Sequence, residues 1–146
     1  MDMQLANKRA FVSGSTQGIG YSIAKALLRE GVAVVINGRD DSRLQQSVKN
    51  LDAEVPGGNV TGIAADFADA ADVRRLLDSL GGVDILVNNA GLFEVQPFAE
   101  IPDDDWSRYF DVNVMSGVRL SRALLPGMID ERWGRIIFIG SESGVA

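Results

Sequence analysis

Ser13-Gly14-Ser15-Thr16-Gln17-Gly18-Ile19-Gly20 directly continues the apolar run Arg9 to Ser13, and a stretch of helical period begins at once from Tyr21. Three glycines at a strand-to-helix junction serve distinct needs: one lets the chain turn sharply, one lets the backbone approach a pyrophosphate, and one lets helix and strand pack closely. Amides at the start of the helix then face the ligand's negative charge. Gly14, Ser15, Thr16, Gln17, Gly18, Ile19 and Gly20 are therefore candidate phosphate contacts. The spacing is GxxxGxG. It differs from GxGxxG, and no Lys-Ser or Lys-Thr follows the last glycine as it would in a P-loop, which disfavours a nucleoside triphosphatase. A glycine-rich turn used for packing alone is the competing reading of these residues by themselves.

Outward from that loop, apolar runs of strand length alternate with longer stretches of helical period, and no two strand runs meet across a two-residue glycine turn. Such alternation predicts βαβ units and a parallel sheet. Strands are predicted at Arg9 to Ser13, Val32 to Asn37, Asn59 to Ala64, Asp84 to Asn88 and Arg135 to Ile139. Most are rich in Val and Ile without polar alternation, as in a sheet covered by helices on both faces. Helices are predicted at Gly18 to Glu30, Ser42 to Leu51, Asp69 to Leu80 and Asp104 to Ile129. Pro126 lacks an amide proton and crowds the preceding turn, so it is predicted to end or kink the last of these. Pro56-Gly57-Gly58 and Gly81-Gly82 read as plain turns. No repeat or interdomain linker interrupts the pattern. The reading is one α/β domain, residues 1–146, with a doubly wound parallel sheet between two helical layers.

Composition agrees with a folded domain and narrows the chemistry. Of 146 residues, 46% are hydrophobic and 23% charged, a balance that supports a buried core. A formal charge of -6 argues against nucleic acid or an anionic membrane surface as partner. Cys and His are both absent. Thiol nucleophiles, disulfides, imidazole bases and the usual zinc ligand sets are thereby excluded, no metal site is expected, and proton chemistry falls to Tyr, Lys, Asp or Glu. The segment Met1 to Ala10 lacks the long apolar run of a signal peptide or membrane span, which makes the cytoplasm the default location.

Further motifs follow the loop in order. The loop itself resembles the TGxxxGxG motif of the short-chain dehydrogenase/reductase family, with Ser13 in place of the usual Thr. Asp66, after the third strand, resembles the family Asp that holds the adenine edge, with Phe67 beside it. Asn88-Asn89-Ala90-Gly91 reproduces the NNAG motif that ends the fourth strand and adds Asn89, Ala90 and Gly91 to the cofactor contacts. Asn113, in Asp111-Val112-Asn113-Val114, resembles the helical Asn that supports a proton-relay water. Ser141, in Ile139-Gly140-Ser141-Glu142-Ser143-Gly144, resembles the Ser that binds the substrate carbonyl or hydroxyl. The resemblance covers essentially the whole chain. It implies a Rossmann-type sheet of strand order 3-2-1-4-5 and an NAD(P)-dependent oxidoreductase that passes a hydride between cofactor and a small carbonyl or alcohol substrate. Ser141 and Asn113 are its implied catalytic residues. Each residue also has a plainer reading: Asp66 as a cap, Asn113 as a locally bonded amide, Asn88 and Asn89 as turn formers, Ser141 as a strand-end hydroxyl with Ser143 as rival.

NAD-selective sites usually carry an Asp or Glu after the second strand to accept from the ribose 2′-hydroxyl, and a phosphate there would be repelled. Here Asn37-Gly38-Arg39 stands in that place. Arg39 offers a planar, permanently charged fork suited to a 2′-phosphate, with Asn37 as an assistant, so NADP is favoured over NAD. Two features weigh on the other side: Asp40 is close enough to serve NAD if the strand ends slightly later, and the glycine loop carries Gln17 where many NADP-preferring relatives have a basic residue.

The resemblance further implies a Tyr-x-x-x-Lys pair on a helix after the serine strand, with tyrosinate moving the proton and Lys lowering its pKa. The sequence stops at Ala146, so the chain reads as the N-terminal part of a longer enzyme, inactive by itself and homo-oligomeric when complete. Tyr21 and Lys25 are the sole match to that pattern, but they lie on the helix after the glycine loop, away from the ends of the fourth and fifth strands where hydride transfer occurs. Four-residue spacing puts both on one helix face by geometry alone, and coincidence explains the match. A non-catalytic dinucleotide-binding or interaction module and a packing-only scaffold are the alternatives. The substrate itself is not legible; Phe93, Val95 and Phe98 make the expected pocket mouth apolar, as local packing equally does.

Overall fold

Every predicted strand forms, and all pair in parallel. The computed structural model describes residues 3–141. Its strands are β1 (Arg9–Val12), β2 (Ala33–Gly38), β3 (Val60–Ala64), β4 (Ile85–Asn88) and β5 (Arg135–Phe138). The helices are α1 (Gly18–Arg29), α2 (Asp41–Glu54), α3 (Ala70–Leu80), α4 (Asp103–Phe110) and α5 (Ser116–Asp130). The sheet order is β3-β2-β1-β4-β5, as the family resemblance implies. The chain winds outward from β1 to β3 and then crosses back to β4 on the other side of β1. The strand order thus reverses at β1, and a cleft lies outside the carboxyl ends of the strands there.

Alternate residues of the central strands feed two cores, because successive side chains of a strand point to opposite faces. Phe11, Val35 and Leu86 pack with Val73, Leu76 and Leu80 of α3 and with Leu120, Leu124 and Met128 of α5. Ala10, Val12, Val34, Ile36, Ile85 and Val87 pack with Ala24 and Leu28 of α1 and Leu44 and Leu51 of α2. A strand buried on both sides has no solvent face for polar residues, which is the physical origin of the unbroken Val and Ile runs. Phe11 and Leu44 are both 0% exposed. Burial of a side chain of that size contributes about 1.5–3 kcal/mol. Among the described residues β3 and β5 form the sheet edges, and on β5 Phe138 is 62% exposed.

Hydrogen bonding explains where the boundaries depart from those predicted. β1 stops at Val12 because the Ser13 hydroxyl turns to the chain after β4, accepting from the amides of Asn89 and Ala90. α2 begins at Asp41 rather than Ser42, since the Asp40 carboxylate caps it by accepting from the Arg43 amide at 2.8 Å. It continues past Leu51 to Glu54, and Pro56, which has no amide proton to give, follows its end. α3 starts behind Asp69, whose carboxylate accepts from the amides of Ala71 and Asp72.

The long helix predicted from Asp104 to Ile129 forms as a continuous helical stretch from Asp103 to Asp130, in which a π turn at Asp111–Met115 separates α4 from α5. An ion pair between Asp111 and Arg119, 3.1 Å apart, spans that turn. Pro126 does not end α5, which runs on to Asp130. Arg122, whose carbonyl loses its amide partner, and Pro126 itself are both exposed. Water can satisfy that carbonyl, while Leu120, Leu124 and Met128, spaced a turn apart, hold the inner face against the sheet. Packing overrides the local breaker here.

Candidate functional site

Gly14 leaves β1 in the left-handed region, with φ +57°, and a Cβ added to it would lie 2.9 Å from the Ala90 Cα. The loops after β1 and β4 thus touch backbone to backbone, and only glycine fits. Gly20 is tighter still: its Cβ would meet Asn89 Nδ2 at 2.5 Å and the Gly14 carbonyl oxygen at 2.6 Å. Two polar side chains hold the pair of loops together. Ser13 Oγ accepts from the amides of Asn89 and Ala90, each at 2.9 Å. Asn89 Nδ2 donates to the carbonyls of Ser13 at 3.2 Å and Gly14 at 2.8 Å. The GxxxGxG and NNAG segments are therefore one hydrogen-bonded unit, and each requires the other for its shape.

Ser15 and Asn37 stand among the candidate cofactor contacts by sequence, but their side chains are committed to the framework. Ser15 Oγ donates to the Val12 carbonyl at 2.6 Å and accepts from the Asn37 amide at 2.9 Å. Asn37 Oδ1 accepts from the Gly14 amide at 3.1 Å, and its Nδ2 donates to the Ile63 carbonyl at 3.0 Å. Both side chains are buried. Ser15 shapes the loop from behind, and Asn37 does so while also bordering the cleft in front of it.

In front of the loop lies a cleft of about 550 Å³, bordered by Gly14, Thr16 and Gln17, by Gly38, Arg39, Asp40 and Arg43, by Asp66 and Phe67, and by Ala90 and Gly91. α1 points its N-terminus at this loop. Gln17 is its N-cap residue, makes no side-chain cap bond, and is followed by no acidic residue in the first turn. α2 and α3, by contrast, are capped by Asp40 and Asp69. The first amides of α1, beyond Gly18 with φ +60°, are left for an anion. Ile19, 64% exposed, is on the outside of that turn and does not border the cleft.

The side of the cleft next to β2 decides what charge it favours. A Cβ on Gly38 would fall 2.5 Å from Thr16 Cγ2, so no acidic side chain fits at that position while Thr16 is in place. Asp40 has one carboxylate oxygen occupied by the cap of α2. Asp66 likewise accepts from the Ala68 amide at 2.9 Å, so it is a turn-former that also borders the cleft. Arg39 is exposed and, among the described residues, makes no hydrogen bond or ion pair.

Asn113 lies in the π turn and clamps the chain that leaves the NNAG segment. Its Oδ1 accepts from the Leu92 amide at 2.6 Å, and its Nδ2 donates to the Leu92 carbonyl at 3.0 Å. Ser141 follows β5, where the Ile139 amide donates to the Asn88 carbonyl at 2.9 Å and keeps this chain beside the end of β4. Neither Asn113 nor Ser141 borders the cleft itself. Ser143, the rival hydroxyl, lies outside the described residues.

The sequence model described as short chain dehydrogenase matches residues 8–146. The chain belongs to the short-chain dehydrogenase family. It is 45% identical to the uncharacterized oxidoreductase YvrD of Bacillus subtilis over 99% of this chain and 55% of that protein. It is 37% identical to D-beta-hydroxybutyrate dehydrogenase of Cupriavidus necator, covering 97% of this chain and 55% of the relative. Among solved structures, L-sorbose reductase from Gluconobacter frateurii, complexed with NADPH and L-sorbose, superposes with a TM-score of 0.92 at 37% identity, covering 99% of this chain and 56% of that one. The chain thus spans about half the length of the relatives it matches.

In a short-chain dehydrogenase a Tyr-x-x-x-Lys pair draws attention, and the structure shows what Tyr21 and Lys25 do. Tyr21 donates to Glu54 Oε1 at 2.8 Å, and Lys25 forms an ion pair with the same carboxylate, so the three side chains tie α1 to α2. Burial, the hydrogen bond to Glu54 and its charge push the Tyr21 hydroxyl up to about 12. A proton-transfer tyrosine needs the opposite shift. One residue escaped the sequence reading altogether: Arg43 borders the cleft and its Nη2 donates to Gln17 Oε1 at 2.7 Å. Its signal was present, because a cation in the first turn of a helix opposes the helix dipole and invites another explanation.

Proposed function

We propose that residues 1–146 form a single dinucleotide-binding domain of an NADP-dependent short-chain dehydrogenase/reductase that interconverts a carbonyl and an alcohol. One observation carries the reading: at the crevice between β1 and β4, glycines with no room for a Cβ bring an uncapped helix N-terminus up to a cleft whose β2 side offers a guanidinium. That donor set fits a pyrophosphate joined to a phosphorylated ribose. Thr16, Gln17 and the amides of Gly18, Ile19 and Gly20 would hold the pyrophosphate, Arg39 the 2′-phosphate, and Asp66 with Phe67 the adenine. Ala90 and Gly91 supply the opposite wall, and Ser15, Asn37 and Asn89 keep the loop in shape. The NADPH in the L-sorbose reductase structure supports the same assignment. NAD is the less favoured ligand because Gly38 leaves no room for an acidic side chain at the end of β2 and the next carboxylate, Asp40, is engaged through one oxygen in the cap of α2.

A bound nicotinamide dinucleotide supplies or accepts hydride. The residues of this chain orient and polarise. Ser141 would donate to the substrate oxygen, and Asn113, through its two bonds to Leu92, fixes the wall of the reaction site and organises the relay. The exposed Trp106, Phe110, Val114 and Ile129 on α4, the π turn and α5 support a homo-oligomer in the complete enzyme. No helix among the described residues is long and apolar enough to cross a membrane.

Titration of the chain with NADPH and with NADH, followed by nucleotide fluorescence, tests the reading. Saturable NADPH binding is expected, and Arg39→Asp should weaken NADPH more than NADH. Equal loss for both overturns the choice of NADP, and no binding of either nucleotide overturns the dinucleotide assignment.

A further inference from the structure

Arg43 is placed by three features that together point into the cleft. The Asp40 cap starts α2 so that Arg43 falls in its first turn. Ser47 Oγ, one helical turn on and buried, lies 3.0 Å from the Thr16 carbonyl and 2.9 Å from the Arg43 carbonyl, which docks this part of α2 onto the glycine loop. The guanidinium then reaches across to Gln17, and Arg43 borders the same cleft as Arg39. The first turn of a helix carries the positive end of the dipole, which the Asp40 cap and Asp41 partly offset at this end of α2. Gln17 offers only a neutral amide oxygen in return. A guanidinium held by one bond to a neutral acceptor keeps donors in its fork for a stronger partner.

We infer that Arg43 is a second determinant of nucleotide choice: it grips the 2′-phosphate together with Arg39, and Gln17 positions it for that contact. This rests on the dinucleotide reading above and adds to it which residue of α2 discriminates between the two nucleotides. The cation comes from α2 and spans to a loop that carries no basic residue of its own. Two guanidiniums match the charge of a phosphate monoester near neutral pH, where one leaves it partly uncompensated. A ribose 2′-hydroxyl gains little from either.

The test is a comparison of wild type, Arg43→Gln and Arg43→Lys, each titrated with NADPH and NADH at low and at moderate salt. Arg43 is exposed, and thermal unfolding of each variant checks that the fold is intact. Arg43→Gln should weaken NADPH about tenfold or more, the scale of one charge-assisted hydrogen bond, and leave NADH within about twofold. Arg43→Lys should recover part of the NADPH affinity and show the steeper salt dependence of an exposed point charge. Unchanged NADPH binding in Arg43→Gln, or equal weakening of both nucleotides, overturns the role of Arg43 while the dinucleotide reading stands. Wild type that binds neither nucleotide overturns that reading and this inference together.

Discussion

Gly20→Ala places a methyl group where the structure has no space. The new carbon would stand 2.5 Å from Asn89 Nδ2, 2.6 Å from the Gly14 carbonyl oxygen and 2.9 Å from the Ser15 Cα. Asn89 must withdraw, and with it go the bonds to the Ser13 and Gly14 carbonyls. Overpacking of this kind costs about 1–3 kcal/mol. Each lost hydrogen bond adds about 0.5–1.5 kcal/mol, and because the two effects share one movement the total is roughly 2–4 kcal/mol. Gly18→Ala is the control. Gly18 has a positive φ but nothing within 4 Å of an added Cβ, so its cost is confined to the left-handed backbone. That is about 1–2 kcal/mol. Urea unfolding followed by far-ultraviolet circular dichroism should rank Gly20→Ala as clearly the more damaging. In an Asn89→Ala background the cost of Gly20→Ala should shrink by about 1 kcal/mol, since the first atom to clash is already gone. If the two glycine variants fall within about 0.5 kcal/mol of each other and Asn89→Ala changes nothing, the two loops are not the single unit argued above.

Pro126→Ala restores an amide that can bond to the exposed Arg122 carbonyl in a helix already held by its inner face, and should raise stability by about 1–2 kcal/mol after the gain in unfolded-state entropy is subtracted; a loss of stability in urea unfolding would show that the proline is locally required. Tyr21 has its ordinary value of 10.0 raised to about 12, so the folded state prefers the phenol. Its contribution is complete below pH 10.0 and disappears as pH rises toward about 12. Phenolate absorbance during alkaline titration of a Tyr109→Phe variant, which removes the other tyrosine, should show the late transition; ionisation near pH 10.0 would mean that the Glu54 contact is not made in solution. Glu54 is held below its ordinary 4.5 by Lys25 and then by Tyr21, so its share is present above that pH and is lost on acidification through the lowered value. Because Glu54 lies on the surface, this acid-side effect should fade with added salt.

The sheet and its helices were legible in the sequence because they depend on local quantities. Unbroken Val and Ile runs mark strands buried on both faces, helical period marks the covering layers, and a glycine cluster between them marks the turn. The start of α2 was legible to within a residue, Asp41 against the predicted Ser42, and its Asp40 cap acts on an amide only three positions away. Prediction failed where a distant contact outweighed the local rule. Pro126 is a helix breaker by propensity, yet Leu124 and Met128 buried on the sheet carry α5 through it. The π turn at Asp111–Met115 has no periodic signature at all, because its extra residue is accommodated through Asn113 bonding to Leu92 and Arg119 pairing with Asp111.

The same division runs through the site. Residue types and spacing by themselves pointed to a glycine turn at a strand-to-helix junction and to the family it resembles, because a glycine requirement is written into each position where a side chain cannot stand. Roles along the cleft were a matter for tertiary structure. Asn37 and Ser15 are candidate ligand contacts by sequence, and folding also brings the Gly14 amide, the Ile63 carbonyl and the Val12 carbonyl to their polar atoms. Arg43 carried no role by sequence; the docking of α2 on the loop sets it against Gln17. Sequence specifies which groups a chain owns and how its backbone bends nearby; only the packed fold, by joining groups many residues apart, determines which of them have partners and which are left for a ligand.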